Sequence, residues 1–481
     1  MRLTETDASF IYMESASGPM HISSIYVLNG EVPFERIYQR FNDVLHLIPS
    51  YRRKLMHVPM SLAHPVWVDD THFDLANHVI EHRLAEGTSL EDAVDAAVKL
   101  NEPMLDRSRP LWKMVAISGV EGKTLLLQMT HHAMIDGASG IDLTTILYDL
   151  SPDSSPPTPP TNEWQPEPEP NAATLINEAI QENLLQLGNA SPVDAFKKGQ
   201  AQFEQLRKAT EVMTRFVSNP AITAPFNAGF VGPKRKAKWL KKPFSEIREI
   251  RRHLGGTIND VVLAIVSEGV ARYLDDHKEK TKEKYIRIMC PVSVRTEDQK
   301  GALGNQVSAI FPYLPAWPMR SVDRLNIVVE ETNRIKNSGE AQALTVMQET
   351  MPKLPPLGMA ATQLVGTAFD PTALAARVPL PIMPNMGYRP PNPNYNFTCT
   401  NVPGVQVPQY MCGAEVTDTI GLLVLNGTVG LSLTILSYNK QLFFSFICEP
   451  RLLPDLDVLI EHADAVYNEL YDAAMADNES L

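Results

Sequence analysis

The chain has 481 residues, a formal charge of −13, and apolar and charged fractions of 44% and 21%. That length exceeds a single core and suits two large domains or three smaller ones, in a composition ordinary for a soluble globular protein. The acidic balance argues against nucleic acid, whose binding rests on cationic contacts to phosphate. The cysteines (Cys290, Cys399, Cys412 and Cys448) form no CxxC pair, so reduced thiols in a cytosolic protein are expected rather than zinc or redox chemistry. Residues 1–7 carry two acids and no apolar run, so no signal peptide is expected.

In chain order, Phe34, Ile37, Tyr38, Phe41, Val44, Leu45 and Ile48 recur at helical spacing up to Pro49. A second helix is predicted from Ser89, with Asp92 completing a capping box and Leu90, Val94, Ala97 and Val98 on one face. Residues 111–118 and 123–129 read as paired strands joined by a turn at 119–122. The second strand runs into His131-His132-Ala133-Met134-Ile135-Asp136-Gly137. Ser139 and Asp142 then open a helix with Leu143, Ile146, Leu147 and Leu150 on its face. Residues 151–170 are rich in proline and read as a semi-rigid linker, followed by a helical stretch over about 172–218. A second α/β unit is predicted from about residue 235 onward. It contains a helix over 259–274 with Ile258, Val261, Val262, Ile265, Val266 and Val270 on its apolar face. Residues 419–438 carry no charge and have the length of a membrane span. Asn426-Gly427 and the alternation after it predict a β-hairpin instead.

The histidine pair is the chain's strongest chemical signal. Histidine titrates near neutrality, so it can take a proton from a weak nucleophile and return it. Successive residues on a strand point to opposite faces, so one ring of the pair faces a cleft and the other packs inward. Asp136 either orients the imidazole directly or folds away and braces the loop on a buried arginine; Arg295, after an apolar strand, is a plausible partner for such a brace. Gly137 suits a close backbone approach or positive φ. Asn259-Asp260 supports two readings: a catalytic pair, or a helix start in which Thr257 and Asp260 form the cap. A helix start also offers N–H groups to a developing anion. Six cations in residues 234–242 make either a solvated basic segment or a contact for cofactor phosphates or an anionic membrane. Residues 354–388, rich in proline, methionine and leucine, suit core lining, an acyl-chain lining or a lipid-facing patch.

The motif matches the HHxxxDG pattern of the CoA-dependent acyltransferase superfamily, which includes chloramphenicol acetyltransferase and peptide-synthetase condensation domains. Further segments narrow the match. They are LTETDASF (3–10) with GPMH (18–21), PSYRRKL (49–55), LDRSRPLW (105–112), NDVVLA (259–264), PVSVR (291–295), GN (304–305) and TNVPG (400–404). In this order they resemble the bacterial wax ester synthase/acyl-CoA:diacylglycerol acyltransferase family. The departures are Thr400, Val405, residues 84–88 and Cys448-Glu449-Pro450, and none touches the histidine motif.

The resemblance implies a mixed α/β fold of two chloramphenicol-acetyltransferase-like domains with a tunnel at their interface. Residues 1–150 would carry the motif, 151–234 would form a linker and helical crossover, and 235–481 would form the second domain. It implies an O-acyltransferase that moves a long-chain acyl group from acyl-CoA, as co-substrate, to a fatty alcohol or diacylglycerol. His132 would be the general base, with no acyl-enzyme, no metal and no resident cofactor. His131, Asp136, Gly137 and Arg295 would hold the loop, Asn259 would serve the oxyanion or shape the pocket, and Asp260 would support it. The expected location is cytoplasmic, in peripheral contact with a membrane or lipid droplet. A condensation-type N-acyltransferase and a catalytically silent lipid-binding scaffold are the alternatives. Oligomeric state is not legible.

Overall fold

The computed structural model describes residues 1–134, 139–188, 214, 218–293, 307–340 and 395–479. Asp136, Gly137, Arg295, the GN pair at 304–305 and the stretch 354–388 lie outside the described residues.

The first half opens with α1 (Glu5–Met13), β1 (His21–Asn29) and α2 (Phe34–Val44). A small ribbon, β2 (Arg53–Met56) and β3 (Val66–Asp69), precedes β4 (Val79–Thr88) and α3 (Leu90–Leu100). The hairpin β5 (Trp112–Val120) and β6 (Lys123–His131) follows, then α4 (Ser139–Leu147) and α5 (Ala172–Gly188). Local chemistry fixes these starts. Ser89 accepts the Asp92 N–H and caps α3, which buries Ala93, Val94, Ala97 and Val98. Helix α2 buries Ile37, Phe41 and Val44, and a 3₁₀ turn at Leu45–Leu47 carries the chain on to Pro49.

The second half contains β7 (Lys236–Pro243), α6 (Phe244–Leu254), α7 (Ile258–Asp276), β8 (Tyr285–Ser293), β9 (Val307–Ile310), β10 (Tyr313–Pro315) and α8 (Ser321–Ser338). It continues with β11 (Phe397–Pro403), β12 (Tyr410–Met411), β13 (Ala414–Leu422), β14 (Leu431–Tyr438), β15 (Gln441–Cys448) and α9 (Leu456–Glu479).

Two mixed sheets result. The first runs β12-β13-β1-β6-β5-β4, and the second runs β10-β8-β11-β14-β15-β7 with β9 on β8. The first sheet therefore takes two strands from the far end of the chain, and β13 lies antiparallel to β1 from Ser23–Leu422 to Asn29–Glu415.

The predicted hairpin over 419–438 is corrected here. Its two segments are strands, but β13 joins the first sheet and β14 the second, and Asn426–Val429 only turns the chain between them. Alternation sets which face of a strand is buried and carries no information about which strand lies beside it. Where the sheets approach, a Cβ on Gly421 would sit 2.6 Å from Thr434 Cγ2. The Gly421 N–H instead donates to Ser445 Oγ at 3.1 Å, tying one sheet to the other.

Strand β15 shows why its run QLFFSFIC is almost wholly apolar. Leu442, Phe444, Phe446 and Cys448 enter the core under α7 and α9. Phe443 and Ile447 point the other way, into the cores of the first half. A strand covered on both faces reads as a continuous apolar run. Each such side chain contributes about 1.5–3 kcal/mol on burial.

The proline-rich segment has no regular structure before α5, yet it is anchored. Trp164 lies under the Arg52 guanidinium at 4.8 Å, and Glu169 accepts from Lys54 at 2.6 Å. The Glu167 N–H donates to Asp69 at 3.1 Å, so the segment straps the β2–β3 ribbon. Among the described residues no single helix is long and apolar enough to cross a membrane.

Candidate active site

Strand β6 ends at the histidine pair, and its neighbours fix both backbones. The His131 N–H donates to Leu111 O and the His132 N–H to Met20 O, each at 2.9 Å. Alternation then sends the rings to opposite sides. His131 is fully buried. Its Nδ1 accepts the Ala133 N–H at 3.1 Å, and its Nε2 lies 3.5 Å from Glu14 Oε1. His132 is half-buried at the start of a short 3₁₀ turn, His132–Met134. Its ring stacks on Phe10 of α1, centroid to centroid 3.9 Å at 15°.

The His132 Nδ1 is buried without a hydrogen-bond partner. Burial, foremost, pushes the ring's pKa below the ordinary 6.5; His131 pushes the same way, and Asp7 pulls it back up. The imidazole is therefore neutral at pH 7, the form in which it can accept a proton.

A buried carboxylate underlies the pair. Glu14, the C-cap of α1, accepts the Met20 N–H on Oε1 at 2.9 Å. Its Oε2 receives Arg107 Nε at 3.1 Å and Nη2 at 2.8 Å. Arg107 Nη2 also donates to Ile11 O, at the end of α1, at 2.8 Å. Burial works to raise the Glu14 pKa, but His131, the Met20 N–H and Arg107 together hold it down at about 2. Next along β1, His21 stands opposite His131 and binds Asn101 O through Nε2 at 2.8 Å.

The segments at 3–10, 18–21 and 105–112 thus converge on one turn. Phe10, Met20, Arg107 and Leu111 each touch the pair or the carboxylate under it, and Glu14 falls between the first two segments. Sequence reasoning missed Phe10, Glu14 and Arg107. Their signal was present only as segments shared with a family, because no local rule links an acid at 14 to an arginine at 107.

Of the residues predicted to serve the site, His131 and His132 stand as described, and Asp136, Gly137 and Arg295 lie outside the described residues. Asp260 is buried in a capping box. Its Oδ2 accepts the Thr257 N–H and hydroxyl, each at 2.8 Å, and its Oδ1 accepts Thr332 Oγ1 at 2.8 Å. Both oxygens are thus occupied in holding α7. Asn259 is exposed at the same helix start and accepts the side-chain amide of Asn401, within the TNVPG segment.

The basic run is the edge strand β7, and acids from both halves neutralise it. Lys234 meets Glu102, Lys236 meets Asp457, Lys238 meets Glu91 and Asp457, Lys241 meets Asp418, and Lys242 meets Asp464. Lysines on an edge strand also discourage pairing with another chain. Among the described residues no group of three or more His, Cys, Asp or Glu could hold a metal ion.

Two mixed sheets, with the histidine pair where β6 ends, make the frame in which this site stands. The fold is shared with a wax ester synthase/diacylglycerol acyltransferase from Marinobacter aquaeolei VT8, at TM-score 0.66 and 19% identity over 98% of this chain and 100% of that one. It is shared also with the first condensation domain of the calcium-dependent antibiotic synthetase, at TM-score 0.59 and 13% identity over 98% and 96%. In sequence, a putative diacylglycerol O-acyltransferase of Mycobacterium tuberculosis is 27% identical over 462 residues, covering 95% of this chain and 87% of its own. The family models for the wax ester synthase/diacylglycerol acyltransferase catalytic domain and for the WS/DGAT C-terminal domain match residues 3–262 and 303–471. The chain belongs to the wax ester synthase/diacylglycerol acyltransferase family and is an acyl-CoA-dependent O-acyltransferase.

Proposed function

We propose that His132 is the general base, and that the acceptor is the hydroxyl of a long-chain alcohol or of diacylglycerol. The observation that carries this reading is the difference between the two rings. His131 is sealed from solvent beside Glu14, whereas His132 is half-buried, with a pKa held below the ordinary 6.5 by burial. An alcohol is almost wholly protonated at neutral pH, so its proton must leave as its oxygen attacks. His132 takes that proton while the oxygen bonds to the thioester carbonyl carbon of acyl-CoA. The tetrahedral intermediate collapses, the C–S bond breaks, and the CoA thiolate leaves with the proton returned by the imidazolium. Ester and CoA thiol are the products, and no acyl-enzyme intervenes. A placed base contributes roughly 10²–10⁴-fold, and holding both substrates together contributes more.

The reaction runs where the halves 1–150 and 235–481 meet, with 151–234 crossing between them. Supporting this, β13 of the second half completes the sheet that carries β6. Acceptors of this kind reside in lipid, so the enzyme works in peripheral contact with a membrane or lipid droplet.

The test is purified protein with palmitoyl-CoA and, in turn, hexadecanol, dipalmitoylglycerol and hexadecylamine. Thiol release is followed and products are identified by mass. Ester from the first two acceptors and no amide from the third is the expected result, with His132→Ala slower by at least about 10²-fold. A folded His132→Ala protein that makes ester at the wild-type rate removes this mechanism.

A further inference from the structure

We infer that Glu14 is a positioning residue for catalysis: its carboxylate, held by Arg107, sets both the backbone and the ring of the base at position 132. The inference rests on the reading of His132 above.

Two supports define where the His132 ring lies, and both hang from Glu14. The first is the hydrogen bond from the His132 N–H to Met20 O. Met20 is fixed in turn by donating its own N–H to Glu14 Oε1 at 2.9 Å. The second is the stack on Phe10. Phe10 rides on α1, whose C-terminal end is Glu14 itself, and Arg107 clamps that end through Ile11 O at 2.8 Å and Glu14 Oε2. The same carboxylate faces His131 Nε2 at 3.5 Å. His131 Nδ1 in turn accepts the Ala133 N–H, directly inside the turn that carries His132.

A carboxylate with 1% of its side-chain surface exposed would cost several kcal/mol without partners, and here its partners are Arg107, the Met20 N–H and His131, the residue before the base. A bare structural ion pair would need only Arg107. The Met20 and His131 contacts on the other oxygen give Glu14 a second task. A misplacement of the order of 1 Å at such a base costs about 10²-fold.

The experiment separates positioning from charge balance. Glu14→Asp keeps the charge for Arg107 but is one methylene shorter, so it withdraws from Met20 and His131. Glu14→Met with Arg107→Met removes both charges and, with them, the acceptor for the Met20 N–H. Thermal midpoint, kcat and KM for palmitoyl-CoA are measured for each variant, beside His132→Ala. The expected result is a kcat at least 10-fold down in both variants, with KM within twofold and a cooperative melt retained. A kcat within twofold of wild type in either folded variant overturns the inference, because Glu14 would then only neutralise Arg107. If His132→Ala is inactive while the Glu14 variants are normal, only this inference falls. If His132→Ala is as active as wild type, the reading beneath it falls.

Discussion

Replacing Phe10 by alanine tests the geometry of the base directly. The two rings stack at 3.9 Å and 15°, with His132 half-buried beneath. An aromatic pair contributes about 0.5–1.5 kcal/mol beyond its buried area. Converted at 1.36 kcal/mol per tenfold, losing it lowers kcat about 2–13-fold if ring placement limits the rate. A second effect has a definite sign. Burial is the first cause of the lowered His132 pKa; His131 acts in the same direction, while the backbone at His132 and Asp7 oppose it. With His132 as the proposed base the active form is the neutral ring, so the wild-type enzyme is expected to stay active to a pH below the ordinary 6.5. Opening one face to water raises the pKa toward that value, and the acidic limb of kcat/KM moves up. The assay is thiol release from palmitoyl-CoA with hexadecanol across pH 5–8, the window in which histidine changes charge. An unchanged kcat together with an unmoved acidic limb would refute the stack as a determinant of the base.

The remaining predictions concern the frame around the site. Glu268 and Arg324 form an ion pair with both side chains at 0% exposure, and Glu268 also receives the Met319 N–H at 2.9 Å. Glu268→Gln strands Arg324 and is expected to cost about 3–5 kcal/mol in urea unfolding, whereas Glu268→Gln with Arg324→Met returns most of it. At Gly421 the added Cβ of alanine meets Thr434 Cγ2 at 2.6 Å. Overpacking of this kind costs about 1–3 kcal/mol. The melting temperature of Gly421→Ala is therefore expected to fall, and adding Thr434→Ser to bring part of it back; a Gly421→Ala melt equal to wild type would mean the sheets can part without cost.

The sequence alone determined what depends on neighbours a few residues apart. The Ser89 and Thr257 caps, the strand pair leading to the histidines and the helix over 259–274 are set by short-range hydrogen bonding and by periods of 3.6 and 2. The histidine pair on a strand end, and the opposite facing of its two rings, follow from the same local geometry. What only the tertiary structure decided is which distant groups meet. Residues 419–438 show the strand period but divide between two sheets, because alternation fixes a buried face and not a neighbour. The lysines over 234–242 read as a solvated basic segment or an anion contact, and each meets an acid, Glu102 or one on α3, β13 or α9. The brace expected from Asp136 and Arg295 lies outside the described residues, and the one observed joins Glu14 to Arg107 across 93 positions. Pairing a buried charge is a demand of the packed interior, and partners brought together by folding leave no mark in the spacing of the chain.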